Sequence, residues 1–199
     1  MGWSFLYSWD SYYFFQGFWL DIKMMVTNAN PFVLLACFII LLLTLLLFER
    51  KRLSFGTVLF SIFASLYFTF VLTVTILGRS EGTESSWDRL LSIYSRAIGG
   101  EQAAQFDILY NIVLYFPIGL LISHYKQNNI VIIALFAIPV TIELCQLITT
   151  RGLFEISDII NNFLGGLIGL GIARLTAKLY NIIKDRIVKR KGGQVERAE

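Results

Sequence analysis

The chain has 199 residues, of which 56% are hydrophobic and only 16% charged, with a mean hydropathy of +0.65 and a net charge of +3. Soluble domains carry about 25% charged residues, so the composition excludes an ordinary soluble protein and leaves an integral membrane protein of one compact domain. A single histidine (His124) and two cysteines far apart in apolar stretches (Cys37, Cys145) argue against a zinc site and read as structural; no metal, cofactor or nucleic-acid partner is expected.

Residues 1–30 are crowded with aromatics, among them Trp3, Trp9, Tyr12, Phe15 and Trp19, around Asp10 and Asp21. No basic stretch followed by a small-residue cleavage site is present, so no cleaved signal peptide is expected. Trp and Tyr favour the headgroup zone, where an apolar ring meets water. The segment reads as a helix lying on the outer leaflet, an anchor or a lid. A sixth span is the alternative; Asp10 and Gly17 weigh against it.

Five stretches are long and apolar enough to cross a bilayer, which takes about 20 residues. They run over 31–48, 55–78, 106–123, 129–149 and 156–173, and predict an all-α membrane bundle. The fourth contains Glu143 and the fifth opens with Asp158. The loop of about 27 residues between the second and third, from Arg79 to Gln105, exceeds the length of a passive connection. Leu90, Leu91, Tyr94 and Ile98 recur there at helical spacing and predict a short helix from Trp87 to Ile98. After the fifth span, Leu175, Leu179, Ile183 and Ile187 alternate with Arg174, Lys178, Lys184 and Arg186. This pattern predicts a basic amphipathic helix that continues the span along the cytoplasmic headgroups, with a disordered end over 192–199. The expected organisation is an N-terminal aromatic segment (1–30), a five-helix membrane domain (31–177) and a basic cytoplasmic tail (178–199).

Lys and Arg set the orientation. With the N-terminus outside, the outer segments carry Lys23, Arg79, Arg89, Arg96 and Arg151, and the other twelve of the 17 basic residues are inside. N-outside, C-inside is therefore expected.

That topology brings polar residues from several spans to one outer depth. Glu143 and Gln146 lie three apart on the last turns of the fourth span, Glu143 roughly 9 Å below its outer end. Asp158, Asn161, Gly165 and Gly169 share a face of the fifth, and Asn111, Tyr115 and Gly119 share a face of the third. Thr73, Thr75 and Arg79 close the second span, and Arg151 lies in the short outer loop. A carboxylate at the bilayer centre costs roughly 2.5–3.5 kcal/mol, so each needs a partner; the charges suggest that Arg79 or Arg151 pairs with Glu143 or Asp158. The candidate ligand-binding residues are Arg79, Asn111, Glu143, Gln146, Arg151, Asp158 and Asn161. The competing structural reading makes the amides glue between helices, and makes Pro117 and the glycines packing residues.

These residues carry a resemblance. Asn111-Ile-Val-Leu-Tyr-Phe-Pro117-Ile-Gly119 resembles the asparagine-then-Phe-x-Pro-x-Gly segment of the VanZ family. Glu143-Leu-Cys-Gln146 is similar to its Glu-x-x-Gln pair, and the stretch from Arg151 through Asp158 and Asn161 to Gly165 is similar to its Arg, Asp-x-x-Asn and Gly block. The resemblance covers roughly residues 55 to 175. Glu155 departs from it, since many members carry aspartate there, and the aromatic N-terminal stretch lies outside the family core. The resemblance implies a multi-pass protein of the bacterial cytoplasmic membrane, linked to resistance to lipid-tailed glycopeptide antibiotics such as teicoplanin.

Three functions compete. In the first, an outward-facing polar pocket binds the headgroup of a membrane lipid or cell-wall lipid precursor, or a lipoglycopeptide antibiotic: the arginines meet phosphate or carboxylate, and the amides add hydrogen bonds. The second is an intramembrane enzyme in which two carboxylates divide acid and base roles or bind Mg²⁺; with no Ser or Cys nucleophile beside a histidine, it carries less weight, and no catalytic residue is assigned. The third is a lipid transporter, for which no inverted repeat is visible. A homo-oligomer, with the glycine face of the fifth span as its seam, supplies the missing half in that reading.

Overall fold

A computed structural model describes residues 9–79, 89–125, 129–151 and 154–195. Among these, every regular element is helical: α1 (Trp9–Asn28), α2 (Pro31–Phe48), α3 (Phe55–Leu72) running into a π-helix (Thr73–Leu77), α4 (Arg89–Ile98), α5 (Gln102–Ile122), α6 (Asn129–Thr149) and α7 (Ile156–Val195). Five stretches are long and apolar enough to cross a membrane: Pro31–Phe48, Phe55–Leu77, Gln102–Ile122, Asn129–Thr149 and Ile156–Ile187. The protein is thus an all-α, multi-pass membrane protein. The aromatic residues before Trp9, and Trp87 at the expected start of the loop helix, lie outside the described residues. Where composition suggests one compact domain, the chain divides into two compact units, Met1–Ser86 with Thr141–Phe154, and Trp87–Val140 with Glu155–Glu199.

In the first unit, α2 starts where the sequence dictates. Pro31 fixes the first helical φ, and the Asn30 side chain accepts from the Phe32 N–H at 2.9 Å. The helix is apolar on every side and buries none of its residues, as suits a span facing lipid. α3 is capped by Ser54, whose Oγ accepts from the Thr57 N–H at 3.2 Å. Its buried side is small, with Ser61, Ala64 and Ser65. Successive hydroxyls donate four residues back: Ser65 to Ser61 O (2.7 Å), Thr69 to Ser65 O (2.8 Å), Thr73 to Thr69 O (2.7 Å) and Thr75 to Val71 O (2.7 Å). These four hydroxyls are thereby satisfied within their own helix, the economical solution in an apolar surround, whereas the buried Ser61 Oγ has no partner among the described residues. The helix then widens into the π-turn, which the Gly78 N–H closes onto Thr73 O at 2.8 Å. Gly78 lies against the Met25 backbone of α1, where an added Cβ would fall within 2.7 Å of the Met25 Cα, so only glycine fits that contact.

The second unit is built on α5 and α7, packed backbone to backbone. A Cβ on Gly165 would collide with the Ile112 carbonyl, one on Gly169 with the Phe116 carbonyl, and one on Gly119 with the Gly166 carbonyl. The contact points advance together along both helices, so α5 and α7 run in the same direction. The face of Gly165 and Gly169 therefore serves a contact inside the chain and is not the oligomer seam expected for it: the small residues let α5 approach first. Leu135 of α6 packs over Gly166, and Phe136 meets Phe163 edge-on at 5.5 Å. α5 begins one turn earlier than hydropathy suggests, because Gln102 and Gln105 are helical despite their polarity; Gln105 Nε2 donates to Ala97 O at 2.8 Å and ties α5 to α4. Gly100, at φ +90°, makes the tight turn between them.

α7 runs unbroken for 40 residues, about 60 Å at 1.5 Å per residue. It carries the fifth span straight into the basic stretch. It also extends through Val195, so residues Gly192 to Val195 are helical where disorder was expected. Leu175, Leu179, Ile183 and Ile187 are all exposed.

Candidate functional site

In the first unit, polar side chains converge on the carbonyls of the π-helix. Widening from i−4 to i−5 bonding, together with the end of the helix, leaves backbone acceptors available to side chains. Gln146 Nε2 donates to Thr75 O at 2.9 Å, Arg79 Nε to Val74 O at 3.4 Å and an Arg151 terminal nitrogen to Leu77 O at 3.4 Å. Gln146 is 2% exposed and Glu143, one turn earlier on α6, 1%. Two guanidinium groups from separate stretches of sequence thus reach one five-residue element.

Arg151 is delivered there by the backbone. α6 ends at Thr149, and Thr150 adopts φ +54°, the left-handed conformation that usually ends a helix on glycine. The Arg151 N–H then closes onto Gln146 O at 3.2 Å. A β-branched residue in this region is a true outlier, with a cost of about 1–2 kcal/mol.

In the second unit, the polar residues pair side chain to side chain. Asn111 Nδ2 of α5 donates to Asp158 Oδ1 of α7 at 2.8 Å. The Tyr94 hydroxyl of α4 donates to Asn161 Oδ1 at 2.9 Å. Asn161 is 1% exposed, and Ser157 and Asn162 are buried beside it. Burial raises the Tyr94 pKa above its ordinary value, the Asp158 charge raises it further, and the Asn161 hydrogen bond works the other way. Glu155 caps α7 through its carbonyl, which accepts from the Asp158 N–H at 3.1 Å.

The seven residues named from sequence thus fall into two groups: Arg79, Glu143, Gln146 and Arg151 in the first unit, and Asn111, Asp158 and Asn161 in the second. Sequence reasoning missed Tyr94, Ser157 and Asn162 as site members. Tyr94 looked like part of an apolar stripe; its hydroxyl was the available signal. Ser157 and Asn162 each adjoin a residue already singled out. No group of three or more His, Cys, Asp or Glu able to hold a metal occurs among the described residues.

Comparison with curated proteins and with solved structures returns no match. A family model described as VanZ/LLP1 matches residues 65–177, more than half of the chain. The matched stretch opens inside α3, takes in the π-helix and α4 to α6, and ends in α7 beyond its polar first turns. The chain belongs to the VanZ family.

Proposed function

We propose that the protein confers or modulates resistance to lipid-tailed glycopeptide antibiotics of the teicoplanin type, by binding the anionic headgroup of a lipid, a cell-wall lipid precursor or the drug itself at the outer face of the bacterial cytoplasmic membrane. The observation that carries this reading is the meeting of Arg79 and Arg151 on the π-helix. Each guanidinium has five N–H groups, and each makes one long contact to a backbone carbonyl. The remaining donors suit a phosphate or carboxylate, which arginine binds in bidentate fashion. Glu143, buried one turn from Gln146, holds the guanidinium groups in place or receives a drug amine. Gln146 fixes the π-helix to α6 through Thr75 O.

The orientation belongs to the same reading. The N-terminus is outside, α1 lies at the outer headgroups, and the basic end of α7 lies at the cytoplasmic ones. The test is protection of a susceptible host challenged with teicoplanin. Arg151→Ala and Glu143→Gln are expected to abolish protection while reaching the membrane at normal levels. Undiminished protection by both, at those levels, removes this cluster from the mechanism.

A further inference from the structure

The first two turns of α7 carry hydrogen-bonding groups that the fold leaves unused. Ser157 and Asn161 are four residues apart and share a face, and each is 1% exposed. Ser157 Oγ and Asn161 Nδ2 have no hydrogen-bond partner among the described residues. An unsatisfied buried donor costs about 1–3 kcal/mol, and two in adjacent turns, at the start of a 40-residue helix, mark a place where an acceptor is missing. Tyr94 explains why the Asn161 amino group is the unused end: its hydroxyl donates to Asn161 Oδ1 and fixes the amide with Nδ2 turned away. Tyr94 is half-buried, at the edge of the cluster.

The charge around these donors selects the ligand. Asp158 lies between Ser157 and Asn161 in sequence, and its charge is felt at the Tyr94 hydroxyl. A phosphate or carboxylate would meet that negative charge in a poorly hydrated place, where opposition is strong. A neutral oxygen would not. We propose that Tyr94, Ser157 and Asn161 form a binding site for an uncharged hydroxyl-bearing group, such as a sugar, whose oxygens accept from Ser157 Oγ and Asn161 Nδ2. Tyr94 is the positioning residue that orients the Asn161 amide. The inference rests on the reading of the protein as a binder of envelope lipids, but not on its arginines.

The experiment uses the full chain in phosphatidylcholine nanodiscs carrying either glucosyl-diacylglycerol, with a neutral sugar headgroup, or phosphatidic acid, with an anionic phosphate and no alcohol hydroxyl. Lipid retained by the protein is measured by native mass spectrometry. The glucosyl lipid is expected to be enriched over phosphatidylcholine. Ser157→Ala and the near-isosteric Asn161→Asp should each weaken that enrichment about five-fold, the effect of one lost hydrogen bond, and Tyr94→Phe should weaken it less. Glu101→Gln, at an exposed ion pair, serves as the folded control. Methyl glucoside that displaces the lipid assigns recognition to the free sugar; retention against it assigns recognition to the lipid-borne headgroup, and both support the site. Equal enrichment in wild type and Asn161→Asp, or enrichment of phosphatidic acid alone, overturns it. The second of those results leaves the arginine reading standing, whereas enrichment of the glucosyl lipid alone leaves this site standing without the arginines.

Discussion

The two units solve the same problem by different means. Both must hold polar side chains in a chain that is mostly apolar. The first presents backbone carbonyls: a π-helix offers its acceptors to Gln146, Arg79 and Arg151. The second matches side chains, Asn111 with Asp158 and Tyr94 with Asn161, on helices brought together by glycine. Carbonyl acceptance tolerates long, loose contacts and leaves cations with donors to spare. Side-chain pairing demands short distances and close helices, and leaves little room for error.

The difference can be broken most decisively at Gly119. Its Cβ position is occupied by the Gly166 carbonyl, with the Leu170 nitrogen 2.7 Å away. Gly119→Val should destabilise the second unit by about 3 kcal/mol or more, because the obstruction is backbone and not a flexible side chain. Membrane levels and thermal unfolding in detergent would show it; wild-type unfolding would mean that α5 and α7 are not in backbone contact. A smaller effect is expected at Asn111. Removing its amide in Asn111→Ala takes a hydrogen bond from a carboxylate, at about 1–3 kcal/mol, and Asn111→Asp should be no better, since two acids would then face each other. The smallest effect has the opposite sign and lies in the first unit. Thr150→Gly should raise stability by about 1 kcal/mol, since glycine adopts positive φ without steric cost. A loss of stability on that change would mean that the threonine side chain supports the turn rather than opposing it.

Much of the fold was legible because apolar length and caps are local. The span over 31–48 is set by Asn30 and Pro31 at one end and by the charged Glu49–Arg52 stretch at the other, and α6 coincides with the mostly apolar run over 129–149, despite Glu143 and Gln146 within it. The π-helix was not legible: hydropathy is the same for i−4 and i−5 bonding, and nothing in Thr-Val-Thr-Ile-Leu announces the switch. Small residues on α5 and α7 signalled close approach, but not which neighbour approaches, so the seam was assigned to a second copy. Among site residues, charged and amide side chains inside apolar runs were conspicuous. Tyr94 and Ser157 were not, because a tyrosine at helical spacing counts as apolar and a serine is common in any helix.

One consequence concerns the reach of α7. The two of its glycines that abut the α5 backbone, Gly165 and Gly169, sit in its first third, and no proline interrupts the remainder. With a length of about 60 Å, it works as a lever with its fulcrum near one end. A tilt of about five degrees at the glycine contact would sweep the far tip, roughly 40 Å away, through about 3–4 Å. Whatever nudges Ser157 or Asn161 is therefore amplified at Lys184 and Arg186, on the far arm of the same rod.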